Sequence, residues 1–307
     1  MKAARIHQFG PPPVIVIDDI PQPQPGAGEV LVRVSAAGVG PWDALIREGK
    51  SKVSPQPPLI LGSDLSGVVE AVGAGVTGFN PGDEVYGLTN PQFCGAYAEY
   101  ALAKSGMIAR KPARLTHTEG ASVPVVAVTA WQMLFEYAHL QTGQRTLILG
   151  AAGSVGAYAV QLAAQSGIHV IATAGSGDLE YVRKLGAETV VDYRSDNLDY
   201  AAWSVDAVLD LVGGETRLAA TQALKPAGIL VSVVSADPKP ARSDVRSVFF
   251  YVDVTTGRLN KISELLEAGK LVTQVGTVLP LDQARAAHEM LAGAPHPRGK
   301  IVLQVAD

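Results

Sequence analysis

Thiols are nearly missing from this chain of 307 residues, because Cys94 is its only cysteine. A single cysteine excludes an internal disulfide framework and is typical of a protein in a reducing compartment. Histidine is also scarce, and the six histidines form no pair with the spacing of zinc ligands. They are His7, His117, His139, His169, His288 and His296. We therefore expect no bound metal.

Runs of positive charge and long apolar stretches are missing as well. The formal net charge is −4, and no basic run suggests a nucleic acid or an anionic membrane surface as a partner. The apolar runs are of strand length, so no transmembrane span is predicted. The residues from Met1 to Arg5 lead directly into a strand pattern and lack the apolar core of a signal peptide. These absences predict a cytoplasmic protein.

The chain does contain a stretch typical of dinucleotide binding. Residues 146–149 predict a buried strand, three glycines at three-residue spacing predict a tight turn, and an apolar helix runs on to Gly167. A turn without Cβ atoms lets the backbone approach a pyrophosphate, which then lies at the N-terminus of the helix. A glycine triplet alone is a weak signal, and the strand and helix around it strengthen it. The predicted cofactor contacts are Gly150, Ala151, Ala152, Gly153, Ser154, Val155 and Gly156.

Two regions of different pattern make up the chain. Roughly the first 115 residues predict many short strands with frequent turns, which is typical of a small, partly open barrel. Strand and helix alternate after that, as in a doubly wound parallel sheet, so the predicted fold class is α/β. The strands expected in the second region span 146–150, 168–173, 189–192, 205–212, 228–234 and 248–252. The expected helices span 123–137, 179–185 and 215–224, and the tail adds a helix ending at Gly269, another at 284–291 and a closing strand at 301–305.

Several short motifs are shared with one enzyme family. They are Ala37-Gly38-Val39-Gly40-Pro41-Trp42-Asp43, Gly62-Ser63-Asp64-Leu65-Ser66-Gly67, Pro81-Gly82-Asp83-Glu84-Val85, Gly95-Ala96-Tyr97-Ala98-Glu99-Tyr100, Val128-Thr129-Ala130-Trp131 and Arg298-Gly299-Lys300-Ile301-Val302. With the glycine turn, they make the chain resemble a zinc-independent medium-chain dehydrogenase/reductase of the quinone oxidoreductase type over essentially its whole length. The resemblance implies a GroES-like catalytic domain at 1–121 and 258–307, interrupted by a Rossmann NADP(H)-binding domain at 122–257.

The resemblance also agrees with the expected absence of metal. Zinc members of this superfamily hold catalytic zinc with a cysteine and a His-Glu pair, and these positions fall on Gly40, Ser63 and Asp64 here. Their four-cysteine structural lobe has no counterpart in a chain with one cysteine. Since zinc needs about four N, S or O ligands, we expect no zinc.

The end of the second Rossmann strand indicates which nicotinamide cofactor is bound. NAD-preferring folds place Asp or Glu there, whereas this chain has Thr173, Ala174, Gly175 and Ser176. A 2′-phosphate would meet no repulsion at these residues, and the resemblance places Tyr193 beside it. Several relatives carry a lysine near the position of Asp178, so this acid counts against the assignment. Arg183 or Arg194 could compensate, or either could be a solvated charge. We expect NADPH (NADP⁺).

The residues expected near the reacting atoms come mainly from the resemblance. Thr129 matches a threonine that contacts the nicotinamide, although a packed helix residue is the alternative. Val212 and Gly213 follow the fourth strand at the edge where open α/β sheets bind ligands. The stretch Phe250, Tyr251 and Val252 is expected on the other side of the ring.

Pocket residues are expected in the first region. Gly40 departs from the family's usual asparagine, which predicts one polar contact fewer and a larger pocket. Trp42, Tyr86 and Phe93 either line a flat apolar acceptor site or pack in the core. No side chain is recognisable as the general acid, and the proton could come from solvent, a cofactor hydroxyl or Tyr86.

These features predict an NADPH-dependent oxidoreductase that transfers hydride to a quinone or an activated alkene such as an enone or enal. The alternative is an NADPH-binding protein with a structural or redox-sensing role and little turnover. The apolar strand at 248–252 is expected at the edge of the Rossmann sheet. Since such edges are commonly covered, and pairing across a two-fold axis covers them in this family, we expect a homodimer.

Overall fold

The computed structural model describes residues 1–195 and 198–306. Residues 196, 197 and 307, which the predicted domain ranges include, lie outside the described residues. The contacts divide the chain into two units, one formed by Met1–Val125 with the chain from Val254 onward, the other by Val126–Asp253. Each changeover falls four residues inside the predicted 122–257 range.

The N-terminal part of the first unit consists mainly of strands. They are β1 (Lys2–Ile6), β2 (Ile15–Asp19), β3 (Glu29–Val39), β4 (Leu59–Ile60), β5 (Asp64–Val72), β6 (Glu84–Leu88), β7 (Tyr100–Lys104) and β8 (Ile108–Arg110). One short helix, α1 (Pro41–Arg47), lies between β3 and β4, and a second, α2 (His117–Ala121), follows β8. Helix α1 begins at a proline, and its Asp43 accepts the Gly40 N–H at 2.8 Å, so the first turn is capped.

The second unit alternates strands with helices as the sequence predicts. Its elements are α3 (Pro124–Trp131, which begins at the changeover), the π-helix Gln132–Tyr137, β9 (Arg145–Leu149), α4 (Ser154–Gln165), β10 (His169–Ala174), α5 (Leu179–Lys184), β11 (Thr189–Asp192), β12 (Val205–Asp210), α6 (Gly214–Ala220), β13 (Leu224–Ser232) and β14 (Arg246–Phe249). All strand pairs are parallel, in the order β11-β10-β9-β12-β13-β14. The predicted doubly wound parallel sheet is confirmed.

Several predicted elements of this unit have the wrong bounds, including the strand expected at 205–212, which ends at Asp210, and the strand expected at 228–234, which spans Leu224–Ser232. The strand expected at 248–252 ends at Phe249, because the Phe250 side chain is buried and stacks on Tyr137 with ring centroids 4.1 Å apart. The helix expected at 123–137 changes to a π-helix at Gln132. The helix expected at 215–224 ends at Ala220 and is followed by a 3₁₀ turn.

The returning chain completes the first unit with α7 (Thr256–Glu267), β15 (Val275–Pro280), α8 (Ala284–Leu291) and β16 (Lys300–Gln304). Helix α7 ends before Gly269, whose φ is +67°, as predicted. Seven strands form one sheet in the order β15-β16-β3-β5-β6-β8, with β7 also on β3, and β2-β1-β4 form another. Strand β15 is absent from the prediction for the tail, which gave only the closing strand at 301–305.

The apolar core of the first unit lies under these sheets and includes Val32, Val34, Leu65, Val85 and Leu303, all essentially inaccessible to solvent. In the second unit a separate core lies between the parallel sheet and its helices. No helix among residues 1–195 and 198–306 is long and apolar enough to cross a membrane.

Candidate functional site

The glycine turn after β9 has the geometry of a phosphate cradle. Gly150 has φ +73°, and the Ala151 N–H donates to the Thr173 carbonyl at 3.1 Å, which ties the turn to β10. A methyl group at Gly156 would lie 2.7 Å from Ala151 Cα and closer still to the Gly150 carbonyl, so only glycine lets α4 pack here. Gly153 caps the 12-residue α4, whose first N–H groups and dipole favour an anion.

The end of β10 lies beside one positive and one negative side chain. The Tyr193 N–H donates to the Ala174 carbonyl at 3.1 Å, which places the tyrosine beside Gly175. A methyl group at Gly175 would lie 3.6 Å from Arg194 Nη1, 3.7 Å from Tyr193 Cε1 and 3.9 Å from Asp178 Oδ2. The Arg194 guanidinium lies 4.9 Å from the centre of the Tyr193 ring. Of the two arginines considered from the sequence, Arg194 therefore lies at the predicted 2′-phosphate position.

A buried carboxylate holds the turn after β12. Asp210 Oδ1 accepts the N–H groups of Val212 at 3.1 Å and Gly213 at 2.8 Å, while Oδ2 accepts the Ser232 hydroxyl at 2.7 Å. Val212 Cγ2 lies 3.1 Å from where a Gly150 methyl group would be, so this turn lies against the glycine turn. Sequence analysis missed Asp210, although a carboxylate that ends an apolar strand at the ligand-binding edge is a usable signal.

For the remaining predicted cofactor residues, the structure gives burial and ring contacts that do not test a cofactor role. Thr129 is 4% exposed within α3. The Phe250 side chain packs on Tyr137, whereas Tyr251 is 70% exposed and makes an edge contact with Phe249. A cofactor role for Thr129 and for the stretch Phe250–Val252 stays a prediction.

In the first unit, the indole of Trp42 fills the space beside Gly40. A methyl group at Gly40 would lie 2.5 Å from Trp42 Cζ2 and closer still to Cζ3 and Cη2. The Trp42 Nε1–H donates to Ser63 Oγ at 2.9 Å, and Lys300 Nζ lies 4.2 Å from the ring centre. The predicted enlargement of the pocket by Gly40 is therefore wrong, because the indole occupies the room that the missing side chain leaves.

Two buried carboxylates lie beside this indole. Asp64 is inaccessible to solvent, and its Oδ2 lies 3.2 Å from the Lys300 ammonium. Asp43 Oδ2 accepts the Tyr97 hydroxyl at 2.9 Å, while its Oδ1 is buried without a hydrogen-bond partner. Burial raises the pKa of Asp43 to about 7, against the opposing effect of the Gly40 N–H, and burial also raises the pKa of Asp64. Lys300 was not singled out from sequence, although it lies in one of the family motifs.

Tyr86 packs in the core, as the alternative for these aromatic residues has it, and a pocket role for Phe93 stays a prediction. Tyr86 is inaccessible, and its hydroxyl donates to the Leu259 carbonyl at 2.9 Å and lies 2.8 Å from Ser263 Oγ. Burial raises the pKa of the Tyr86 hydroxyl further above its usual range, so the proton-donor role considered for Tyr86 does not fit. Phe93 is half-buried at a turn with φ +57° and packs against the core.

Sequence and structure comparisons agree with this architecture. Residues 26–113 match the alcohol dehydrogenase GroES-like domain family, and residues 185–303 match the zinc-binding dehydrogenase family. The mitochondrial NAD(P)H oxidoreductase RTN4IP1 of Bos taurus is 33% identical over 324 residues, covering 90% of this chain and 82% of that protein. The quinone oxidoreductase of Coxiella burnetii has a TM-score of 0.92 and 34% identity over 99% of both chains. A mycobacterial protein solved with NADPH has a TM-score of 0.88 and 28% identity over 99% of this chain and all of that one.

A GroES-like unit together with a Rossmann unit that carries a glycine cradle defines an NAD(P)H-dependent oxidoreductase. The chain belongs to the medium-chain dehydrogenase/reductase family, among its quinone oxidoreductase-type members. The predicted family and fold class are thus confirmed. The predicted cytoplasmic localisation is wrong, because curated relatives, including the Bos taurus protein, are named as mitochondrial.

Residues 185–303 match a family named for zinc binding, but the residues at the family's metal position do not fit a zinc ion. Gly40 offers no ligand, and the Ser63 hydroxyl already accepts the indole N–H. Within residues 1–195 and 198–306, no group of three or more His, Cys, Asp or Glu side chains is placed to hold a metal. Zinc independence nevertheless stays a prediction.

Proposed function

We propose that this protein transfers hydride from NADPH to a quinone or to the β-carbon of an activated alkene. The observation that carries the proposal is the half-buried indole of Trp42, which lies against Gly40 and donates to Ser63, two of the positions that the resemblance matches to metal ligands. A flat aromatic face suits a planar conjugated acceptor better than a saturated alcohol or aldehyde. The quinone oxidoreductase name of the Coxiella burnetii relative supports the same acceptor class.

The reaction requires little of the protein beyond binding NADPH and the acceptor and orienting them. NADPH, when bound, supplies the hydride, and one further proton completes a hydroquinone or a saturated carbonyl compound while NADP⁺ is released. Because the Tyr86 hydroxyl is held by Leu259 and Ser263, we assign this proton to solvent or to a hydroxyl group of the cofactor. The chain's own contribution is the phosphate cradle at Gly150–Gly156, the turn held by Asp210, and the aromatic surface of Trp42.

A preference for NADPH over NADH is part of the proposal. The end of β10 lacks the carboxylate that would repel a 2′-phosphate, and Arg194 lies beside Gly175 and Tyr193. Asp178 opposes this preference, since its carboxylate lies on the same side of Gly175. The mycobacterial relative solved with NADPH supports the choice of cofactor.

The experiment measures oxidation of NADPH, and separately of NADH, with a benzoquinone, an ortho-quinone, an enone and a saturated aldehyde. Turnover with quinone or enone and NADPH, with none on the aldehyde, is the expected result. An absence of turnover across the panel despite NADPH binding would contradict the proposal. It would favour the alternative, an NADPH-binding protein with a structural or redox-sensing role.

We also propose a homodimer formed through the edge of the Rossmann sheet. Strand β14 is the last in the sheet order, so one side of its backbone faces away from β13. Tyr251, just beyond the strand, is 70% exposed. Pairing with the same strand of a second copy would satisfy those backbone groups. Light scattering at micromolar protein concentration tests this, and a monomeric mass would refute it.

A further inference from the structure

We propose that Trp42 determines which acceptors the protein accepts, and that Gly40, Ser63 and Lys300 are positioning residues for its indole. The inference rests on the proposed function, because it concerns the acceptor of that reaction. It assigns the selection to a side chain of the first unit that is two residues from the position of a metal ligand in zinc relatives.

Gly40 and Trp42 form a mutually dependent pair. The Gly40 backbone is extended, with φ −139° and ψ 164°, a conformation open to any residue. Glycine is therefore required here by the neighbouring indole rather than by the backbone. The three atoms nearest to a methyl group at position 40 would all belong to the six-membered ring of Trp42. A cysteine or asparagine at position 40 would have to displace that ring.

Two polar anchors fix the indole at different points. Ser63, itself inaccessible to solvent, accepts the Nε1–H at 2.9 Å. The Lys300 ammonium, 4% exposed, lies 4.2 Å from the ring centre and is held by Asp64 at 3.2 Å. A desolvated ammonium over an indole is the strongest form of the cation–π contact. The ring is therefore fixed by these two contacts as well as by packing against Gly40. Because the anchors are buried and the indole is half-buried, the remaining ring surface is a rigid wall.

A rigid wall selects acceptors by size. The volume of the indole is closed to any acceptor, which favours a single-ring quinone over a fused three-ring quinone. Truncation to alanine opens that volume, whereas Trp42→Phe keeps a flat ring and removes only part of it. Even one methylene group more or fewer in an apolar pocket changes kcat/KM ratios by about 10- to 200-fold.

The experiment compares kcat/KM for 9,10-phenanthrenequinone with that for 1,4-benzoquinone. We expect Trp42→Ala to raise this ratio at least about tenfold, Trp42→Phe to change it less than about threefold, and Ser63→Ala to give an intermediate rise through KM with kcat retained. Lys300→Met should act in the same direction as Ser63→Ala. Trp203→Ala, which removes the same side chain from a 3₁₀ helix of the second unit, is the matched control and should leave the ratio unchanged.

Calorimetric binding of the two quinones in the presence of NADP⁺ separates this inference from the proposed function. A shift in relative affinity for Trp42→Ala without turnover in the wild type would refute the proposed function alone. Turnover with an unchanged ratio in folded, NADPH-binding Trp42→Ala would refute the role of Trp42 alone. If Trp42→Ala does not fold, the volume-conserving Ser63→Ala decides, and an unchanged ratio and affinity there overturn the inference.

Discussion

The substitution Gly40→Ala gives the sharpest test of how the first unit is packed. The added methyl group would lie 2.5 Å from Trp42 Cζ2 and closer to two further ring atoms, about 1 Å inside ordinary contact distance. The indole cannot yield freely, because Ser63 and Lys300 hold it. Overpacking of this kind costs about 1–3 kcal/mol. We therefore expect Gly40→Ala to lower the free energy of unfolding by about 2 kcal/mol.

The same substitution should behave oppositely once the indole is removed. Since Gly40 has an extended backbone, alanine there restricts the unfolded chain and stabilises the fold by roughly 0.5 kcal/mol in the Trp42→Ala background. The coupling between the two positions is then about 2–3 kcal/mol, well above the additivity error of independent sites. This coupling, rather than the single-variant value, is the quantity that the structure predicts.

Differential scanning calorimetry of the wild type, the two single variants and the double variant measures the cycle. About 2–4 °C per kcal/mol is typical of domains of 150–250 residues, so Gly40→Ala should lower the Tm by about 5 °C in the wild-type background. In the Trp42→Ala background it should raise the Tm by about 1–2 °C. Equal shifts in the two backgrounds would show that the indole does not occupy the space beside Gly40, and the role assigned to Trp42 would fall with it.

Three further substitutions test other parts of the molecule. Because the pKa of Asp43 is raised to about 7, its carboxyl group stabilises the fold below its unfolded pKa and this is lost as the pH rises through 7. Asp43→Asn should remove up to about 4 kcal/mol of the fall in unfolding free energy between pH 4 and 8, and an unchanged pH profile would contradict this. Arg194→Ala should raise the Kd for NADPH about tenfold and leave that for NADH unchanged, whereas Arg183→Ala should change neither; equal effects on both cofactors would exclude 2′-phosphate binding. Asp210→Ala should weaken NADPH binding about tenfold by releasing the Val212 turn, while Ser232→Ala, which leaves that turn bonded, should not; equal losses would refute the positioning role of Asp210.

Local sequence patterns were sufficient for most of the second unit. Apolar strands alternating with helices determine a parallel sheet, and the glycine spacing after residue 149 marks the cradle whose backbone geometry requires it. The end of β14 was not predictable in this way. Phe250 continues the apolar run that defines the strand, and only its stacking on Tyr137 takes it out.

The surroundings of Trp42 and Tyr86 in the first unit could not be predicted from local patterns, because they depend on contacts between residues far apart in the chain. The Tyr86 hydroxyl is bonded to a carbonyl 173 positions away, which no local pattern reveals. Lys300 likewise reaches the Asp64 carboxylate from the far end of the chain. The sequence analysis expected Gly40 to enlarge the pocket, but a residue without a side chain leaves an open volume only if no neighbour fills it, and here the Trp42 indole does. Whether a neighbour fills it is decided by rotamers and packing.

The pairing of β16 with β3 affects the order in which parts of the first unit can fold during synthesis. Strand β16 pairs with β3 and brings Lys300 to Asp64, so two segments far apart in the chain meet beneath the indole. A growing polypeptide that has left the ribosome only as far as residue 290 holds Asp64 without the ammonium group that pairs with it. A carboxylate without its partner is costly to enclose. We therefore expect the region around Trp42 to close only after Lys300 has been synthesised, and a chain cut short before Lys300 lacks the cation that pairs with Asp64.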